Sequence, residues 1–267
     1  MSFRDGESEQ LSDGDNARRV CLLAGAGGVL GSAFCARFAE EYDIAAVYRR
    51  RRPQVPAQDY IPVDPLNPAG SNGSVRPVFA IQGDLSSQDG CQKVVDATLS
   101  RFDRIDLLVN AAVAPTWAPM LGNNRLLNNA AEQMMTNVVM PLRLATVVAH
   151  SFWQGRDLEN LAANRNIVNV SSIAGLHLYT GSGQSLYAAS KAALNHLTGH
   201  MADEFRALGV RVNATAPNSF PSLVSVDRAV DAIKTLDDGS ANSTIVVVDG
   251  DEDTVIEIHP FHALRGN

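Results

Sequence analysis

Cysteine is scarce: Cys21, Cys35 and Cys91 are the only three in 267 residues, and no CxxC pair occurs. This odd, scattered set argues against a disulfide framework and fits a reducing compartment. Positive charge is also short, with 22 Lys and Arg against 29 Asp and Glu for a net charge of −7. The dense basic stretch is Arg49 to Arg52, which is too little to track a polyanion, so no nucleic-acid partner is expected. Long apolar runs are missing too, and none approaches the length of a membrane span. The first stretch, MSFRDGESEQLSDGDNA, is acidic with no apolar core. It reads as a disordered tail over 1–17 rather than a signal peptide, and the expected location is cytoplasmic.

What is present is enough for a sizeable core, since 45% of the chain is hydrophobic. We expect one domain over 18–267. Short apolar runs recur along it: RRVCLLAGAGG, IAAVYRR, VFAIQGDL, IDLLVNAAV, NIVNVSS, VRVNATAP and TIVVVDGD. Helix-patterned stretches separate most of them, among them SQDGCQKVVDATLSRF and VDRAVDAIKTL. Such alternation predicts an α/β fold, a doubly wound parallel sheet of seven strands covered on both faces. One link breaks the pattern: residues 51–77 hold six of the twelve prolines. Repeated proline forbids a regular helix, so an irregular surface loop is expected there.

AGAGGVLG, residues 24–31, closes the first strand and opens the first helix. Glycines in that position let a backbone approach a pyrophosphate, and the helix N-terminus adds N–H groups and positive dipole. The second strand ends in VYRRRR, with no Asp or Glu between Asp43 and Asp59. A carboxylate there would suit the ribose hydroxyls of NAD, whereas Arg49 and Arg50 suit the 2′-phosphate of NADP. Further on, SLYAASKAAL sets Tyr187 one helical turn before Lys191, on one face of a helix.

Together these segments resemble the short-chain dehydrogenases/reductases over roughly residues 18–252. The glycine turn is similar to that family's TGxxxGxG and YAASK to its YxxxK. GDL resembles the adenine-contacting segment, DLLVNAAV the strand ending in NNAG, TNVVMPLRL the helix of the catalytic Asn, and IVNVSSIAG the strand of the catalytic Ser. The resemblance implies cofactor contacts from Gly25, Gly27, Gly28, Leu30, Gly31, Arg49, Arg50, Asp84, Leu85, Asn110, Ala111 and Pro217, as well as from Tyr187 and Lys191. It implies a catalytic set of Asn137, Ser172, Tyr187 and Lys191. Tyr187 would exchange the proton at the substrate oxygen, and Ser172 would hydrogen-bond that oxygen. Lys191 would bind the nicotinamide ribose and favour the phenolate, since a free phenol titrates near pH 10. Asn137 would hold a water linking Lys191 to solvent. The function so implied is an NADP(H)-dependent ketone reduction or its reverse on a small carbonyl or alcohol substrate, in a homodimer or homotetramer. A non-catalytic NADP-binding regulator or scaffold on the same fold is the alternative, because fold alone does not separate the two.

The chain also departs from the family. Val29 stands at the middle glycine of the turn, Ala111 and Val113 replace residues of NNAG, and Asn218 follows Pro217 where Gly is usual. The link PNSFPSLVS then leaves no room for the family's substrate-covering lid before a helix begins near Ser225 or Val226. An open site is expected, suited to a bulky or carrier-tethered substrate or else closed by another segment or subunit, with Trp117 and Met120 on the substrate side. Ser222 is the residue available to contact the carboxamide. His196 and His200 lie one turn apart, but there is no HExxH and no third ligand, so no metal is expected.

Overall fold

The computed structural model describes residues 18–59, 77–121 and 124–258. The proposed tail over 1–17 and most of the proline-rich loop therefore lie outside the described residues. In chain order the elements are β1 Arg19–Ala24, α1 Val29–Phe38, β2 Tyr42–Tyr48, β3 Ala57–Asp59, β4 Val78–Gln82, α2 Gln88–Phe102 and β5 Leu107–Asn110. Then come α3 Arg125–Met134, α4 Met140–Val148, α5 Asp157–Ala162, β6 Asn166–Val170, α6 Ser185–Phe205, β7 Arg211–Pro217, α7 Val226–Asp238, β8 Thr244–Asp249 and β9 Glu252–Glu257. Two five-residue π-helical segments, Met135–Val139 and Ala149–Trp153, interrupt the long helical stretch that begins with α3.

The strands form one sheet in the order β3-β4-β2-β1-β5-β6-β7-β8-β9. Every pairing is parallel except β8 with β9. The expectation of seven strands is corrected to nine among the described residues. The seven apolar runs are the seven central strands. The additions are β3, three residues inside the proline-rich link, and β9, which returns antiparallel after a turn at Gly250 (φ +53°). Part of the expected irregular loop is thus an edge strand, where proline is tolerated because one side of the strand needs no ladder partner.

Alternation along β1 shows the double winding directly. Leu22 and Ala24 face a core made with Val94 and Val95 of α2, Leu144 and Val148 of α4 and Met201 of α6. Cys21 and Leu23 face the opposite core, made with Phe34 and Phe38 of α1 and Val230 and Ile233 of α7. Both faces are covered, which is why these strands read as unbroken apolar runs. All three cysteines are buried free thiols. Burial pushes Cys35 up to about 12 and Cys91 up to about 11, so they are packing residues.

Strand order reverses between β1 and β5, with β2 on one side and β6 on the other. In a doubly wound sheet, ligands lie beyond the carboxyl ends of the strands at this switch point.

Candidate active site

Beyond β1 and β5 lies a cleft of about 200 Å³. Gly25, Gly27, Gly28, Arg49, Leu85 and Ala111, all expected to contact the cofactor, line it. Its floor is backbone and small apolar side chains, and Arg49 stands at its rim with Arg51. The turn over α1 is set from within the protein. Gly25 has φ +88°, and a Cβ there would lie 2.5 Å from the Ala112 nitrogen. A Cβ at Gly27 would lie 1.7 Å from the Arg51 carbonyl oxygen. Gly27 is therefore needed first for the close passage of the Arg51 backbone, and only then for access by a ligand.

The N-terminus of α1 is bare: Gly28 offers no side-chain cap and the first turn holds no acidic residue. By contrast, α2 and α7 are capped by Ser87 and Ser225 and carry Asp89 and Asp227 in their first turns. Uncapped N–H groups and the positive end of the helix dipole suit an anion such as a pyrophosphate. Apolar walls at Val47 and Leu85 suit a flat base, so the residues present fit a dinucleotide.

The predicted residues divide. Leu30 and Gly31 are buried in α1 and stand behind the cleft wall. Arg50 is exposed and outside the lining; it acts on Asp84, where charge from Arg49 and Arg50 adds to a hydrogen bond from the Ser86 backbone in holding the carboxyl below its usual range. The arginines lining the cleft are Arg49 and Arg51 rather than Arg49 and Arg50, because the chain bends after Tyr48. Arg49 also forms an ion pair with Glu132 of α3 at 3.2 Å. Asp84 is exposed, accepting from Ser86 N at 3.0 Å. The Asn110 side chain is buried and donates to Asn169 Oδ1 at 2.9 Å, so that side chain serves the β5–β6 ladder. Pro217 is buried at the end of β7, away from the cleft lining. Ala112, Thr136 and Met140 line the cleft without having been singled out.

Next to this cleft the catalytic candidates come together. β6 ends at Val170, and Ser171 Oγ donates to the Lys191 carbonyl at 3.3 Å, tying α6 to the strand end. Ser172 Oγ accepts from Ala174 N at 3.2 Å, and its hydroxyl acts on the Tyr187 phenol. Burial pushes the Tyr187 phenol up, and the Ser172 hydrogen bond pulls it partly back. Lys191 is 2% exposed, and its Nζ donates to the Val170 carbonyl at 2.7 Å and lies 5.9 Å from the Tyr187 ring centre. Burial lowers this amine to about 7. Burial thus dominates at both groups, raising the phenol and lowering the amine.

Asn137 sits in the π-helical segment between α3 and α4 and is fully buried. Its Oδ1 accepts from Ala114 N at 2.9 Å, and its Nδ2 donates to Ser190 Oγ at 2.9 Å and to Ala114 O at 3.4 Å. Ser190 Oγ in turn donates to the Tyr187 carbonyl at 2.7 Å. The side chain thus ties loop 111–121 to α6. The same loop serves both halves of the site: Ala111 to Val113 line the cleft, and the Trp117 ring meets the Tyr187 ring at 6.4 Å, edge to face.

A family profile described as short chain dehydrogenase matches residues 19–229 of this chain. The chain belongs to the short-chain dehydrogenase family. Among relatives, this short-chain dehydrogenase is 28% identical over 209 residues to the glucose and ribitol dehydrogenase of Daucus carota, covering 74% of this chain and 64% of that protein. It is 27% identical over 209 residues to the NADPH-dependent aldehyde reductase 1, chloroplastic, of Arabidopsis thaliana, covering 74% of this chain and 64% of that protein. The matches therefore span somewhat under two thirds of the length of these relatives. A short chain dehydrogenase structure from Mycobacterium smegmatis shares the fold at TM-score 0.71 with 23% identity, covering 93% of this chain and 98% of that one.

The departures of this short-chain dehydrogenase now have physical readings. Val29 is the first residue of α1 and largely solvent-exposed, so a side chain meets no obstruction there. α7 begins at Val226 behind its cap Ser225, which leaves only a turn after Pro217 and no lid helix. Ser222 is exposed and donates to Ser219 O at 3.4 Å. His196 and His200 are exposed, with Nε2 atoms 3.2 Å apart, and no metal-holding cluster occurs among the described residues. No described helix is long and apolar enough to cross a membrane.

Proposed function

We propose that this protein is an NADP-dependent oxidoreductase that interconverts a ketone and an alcohol, with Tyr187 exchanging the proton at the substrate oxygen. The observation that carries this reading is the gathering of Tyr187 and the buried Lys191, its Nζ 5.9 Å from the Tyr187 ring centre, at the end of β6 where Ser172 follows, near the bare end of α1. When bound, a nicotinamide dinucleotide supplies or accepts the hydride. The bare α1 terminus would take its pyrophosphate, and Arg49 and Arg51 its 2′-phosphate. A phenol raised by burial stays protonated at neutral pH, as a proton donor to a carbonyl oxygen must. Ser172 Oγ would hold that oxygen within reach of Tyr187. Lys191, near 7, exchanges protons at neutral pH and would meet the ribose beside Tyr187. Asn137 positions both walls of the site. A purely binding protein has no use for the Ser172–Tyr187 pair. We also assign self-association to the α6 face that bears His196 and His200.

The test is separate titration of NADPH and NADH into the purified protein, followed by nicotinamide fluorescence. Tight NADPH and weak NADH binding is expected. Equal binding would remove the 2′-phosphate assignment, and no binding of either would remove the oxidoreductase reading.

A further inference from the structure

Around Tyr187 the substrate side is framed by three segments: 114–121 from β5, 176–184 leading into α6, and 218–224 after β7. Together they contain no Asp, Glu, Lys or Arg; His177 is their one ionisable side chain apart from Tyr179. They show solvent a mix of hydroxyls, Thr180, Ser182, Ser219 and Ser222, and large apolar side chains: Trp117, Met120, Leu121, Leu178, Tyr179 and Leu223 are all exposed. Trp117 is 52% exposed, although one edge of the pair it makes with Tyr187 is closed. Its loop is pinned at two points, by Ala118 N donating to Gly183 O at 2.9 Å and by the Asn137 amide on Ala114. The indole is therefore a held platform beside the proton donor, not a side chain on a free loop.

We infer that the substrate is an uncharged, flat, ring-bearing ketone or the matching alcohol, lying against Trp117 with its oxygen toward Tyr187 and Ser172. This inference deepens the proposed function and rests on it. A phosphate, a carboxylate or the phosphopantetheine of a carrier would need a cation to replace its water, and these walls hold no Lys or Arg. An aromatic substrate gains apolar burial and ring-on-ring contact from the same surface. The short link before α7 leaves the space above Trp117 open, so a fused ring system fits as well as a single ring. Of the two substrate types expected from the short lid, the free bulky one is favoured over the carrier-tethered one.

The test uses the full chain and three probes: 2-acetylnaphthalene, its carboxylate analogue 6-acetyl-2-naphthoate, and ribulose. Each is followed by equilibrium dialysis with and without NADPH, and by NADPH consumption. We expect saturable binding of 2-acetylnaphthalene, about tenfold tighter than the carboxylate, with Trp117→Ala losing on the order of tenfold and Trp117→Phe regaining most of it. Leu178→Lys should narrow the gap by strengthening binding of the carboxylate. No saturable binding of the naphthyl ketone, tighter binding of either polar probe, or an unchanged Trp117→Ala would overturn the inference. So would a Trp117→Ala protein whose mass by light scattering falls while ketone binding holds, because the rim would then be a contact with a second copy. Dialysis of the ketone alone requires no cofactor, so failure of this inference and failure of the nicotinamide assignment give different results.

Discussion

The two halves of the site lie on either side of one loop and differ in almost every physical respect. On the adenosine side a bare helix end faces outward and a run of four arginines, Arg49 to Arg52, follows β2. On the substrate side there is no formal charge in three consecutive walls, and Trp, Met and Leu meet the solvent. One half concentrates positive charge, and the other carries none. A protein with a net charge of −7 that still concentrates arginine at one rim is using charge locally. The comparison ties each ligand to its own wall, and it can be broken one wall at a time.

The largest expected effect is on Tyr187, the proton donor of the proposed function. Tyr187→Phe keeps the ring packing against Trp117 and removes the hydroxyl. Turnover should fall by about 10²- to 10⁴-fold while nicotinamide binding stays as in the parent protein. Turnover within threefold of the parent would remove Tyr187 from the proton step. Next is the charged rim. Arg49→Ala with Arg51→Ala should cost NADPH on the order of tenfold or more in affinity and leave NADH nearly unchanged, and the NADPH loss should shrink as salt is raised. Equal losses for both cofactors would mean that the pair shapes the turn over Gly27 instead of reading a phosphate. Arg50→Ala should do much less to either, since that side chain lies outside the cleft.

The smallest effect is on stability. Lys191 titrates near 7 in the folded protein against 10.5 ordinarily. Between those values the unfolded chain binds a proton that the folded protein does not, so this residue makes stability rise with pH across that window. At and below pH 7 its burial penalty is present in full. Lys191→Met should therefore raise the melting temperature by a few degrees at pH 6.5, and the gain should fade toward pH 10. A gain that does not vary with pH would mean that the amine is not desolvated as the structure shows.

The sequence showed the centre of the fold better than its edges. Strands such as Leu107–Asn110 are buried on both faces and so appear as apolar runs that nothing else in the chain imitates. β9 is exposed along its whole length and rich in Asp and Glu, so no burial pattern marks it, although Asp249-Gly250 is a hairpin signal that could have been read. Neither π-helical segment was legible, because an amphipathic pattern looks the same with or without one extra residue in a turn. Among the site residues, the short link from Pro217 to Ser225 could be counted directly. Placing Arg51 rather than Arg50 at the rim requires the bend after Tyr48, and assigning the Asn110 side chain to Asn169 requires knowing that β5 and β6 are neighbours.

The π-helical segment at Asn137 has a bearing on how this protein could be re-engineered. Its extra residue turns the face of α3 relative to that of α4, so that Thr136 looks into the nucleotide cleft while its neighbour Asn137 grips Ala114 and Ser190. The segment works as a clutch plate between two otherwise separate modules. Deleting one residue there would restore an even helical pitch and disengage the loop from α6, even though no residue of either ligand wall had been touched. A designer wishing to graft a new substrate rim would do better to cut between the loop's two anchor points, Ala114 and Ala118, and leave the clutch in place.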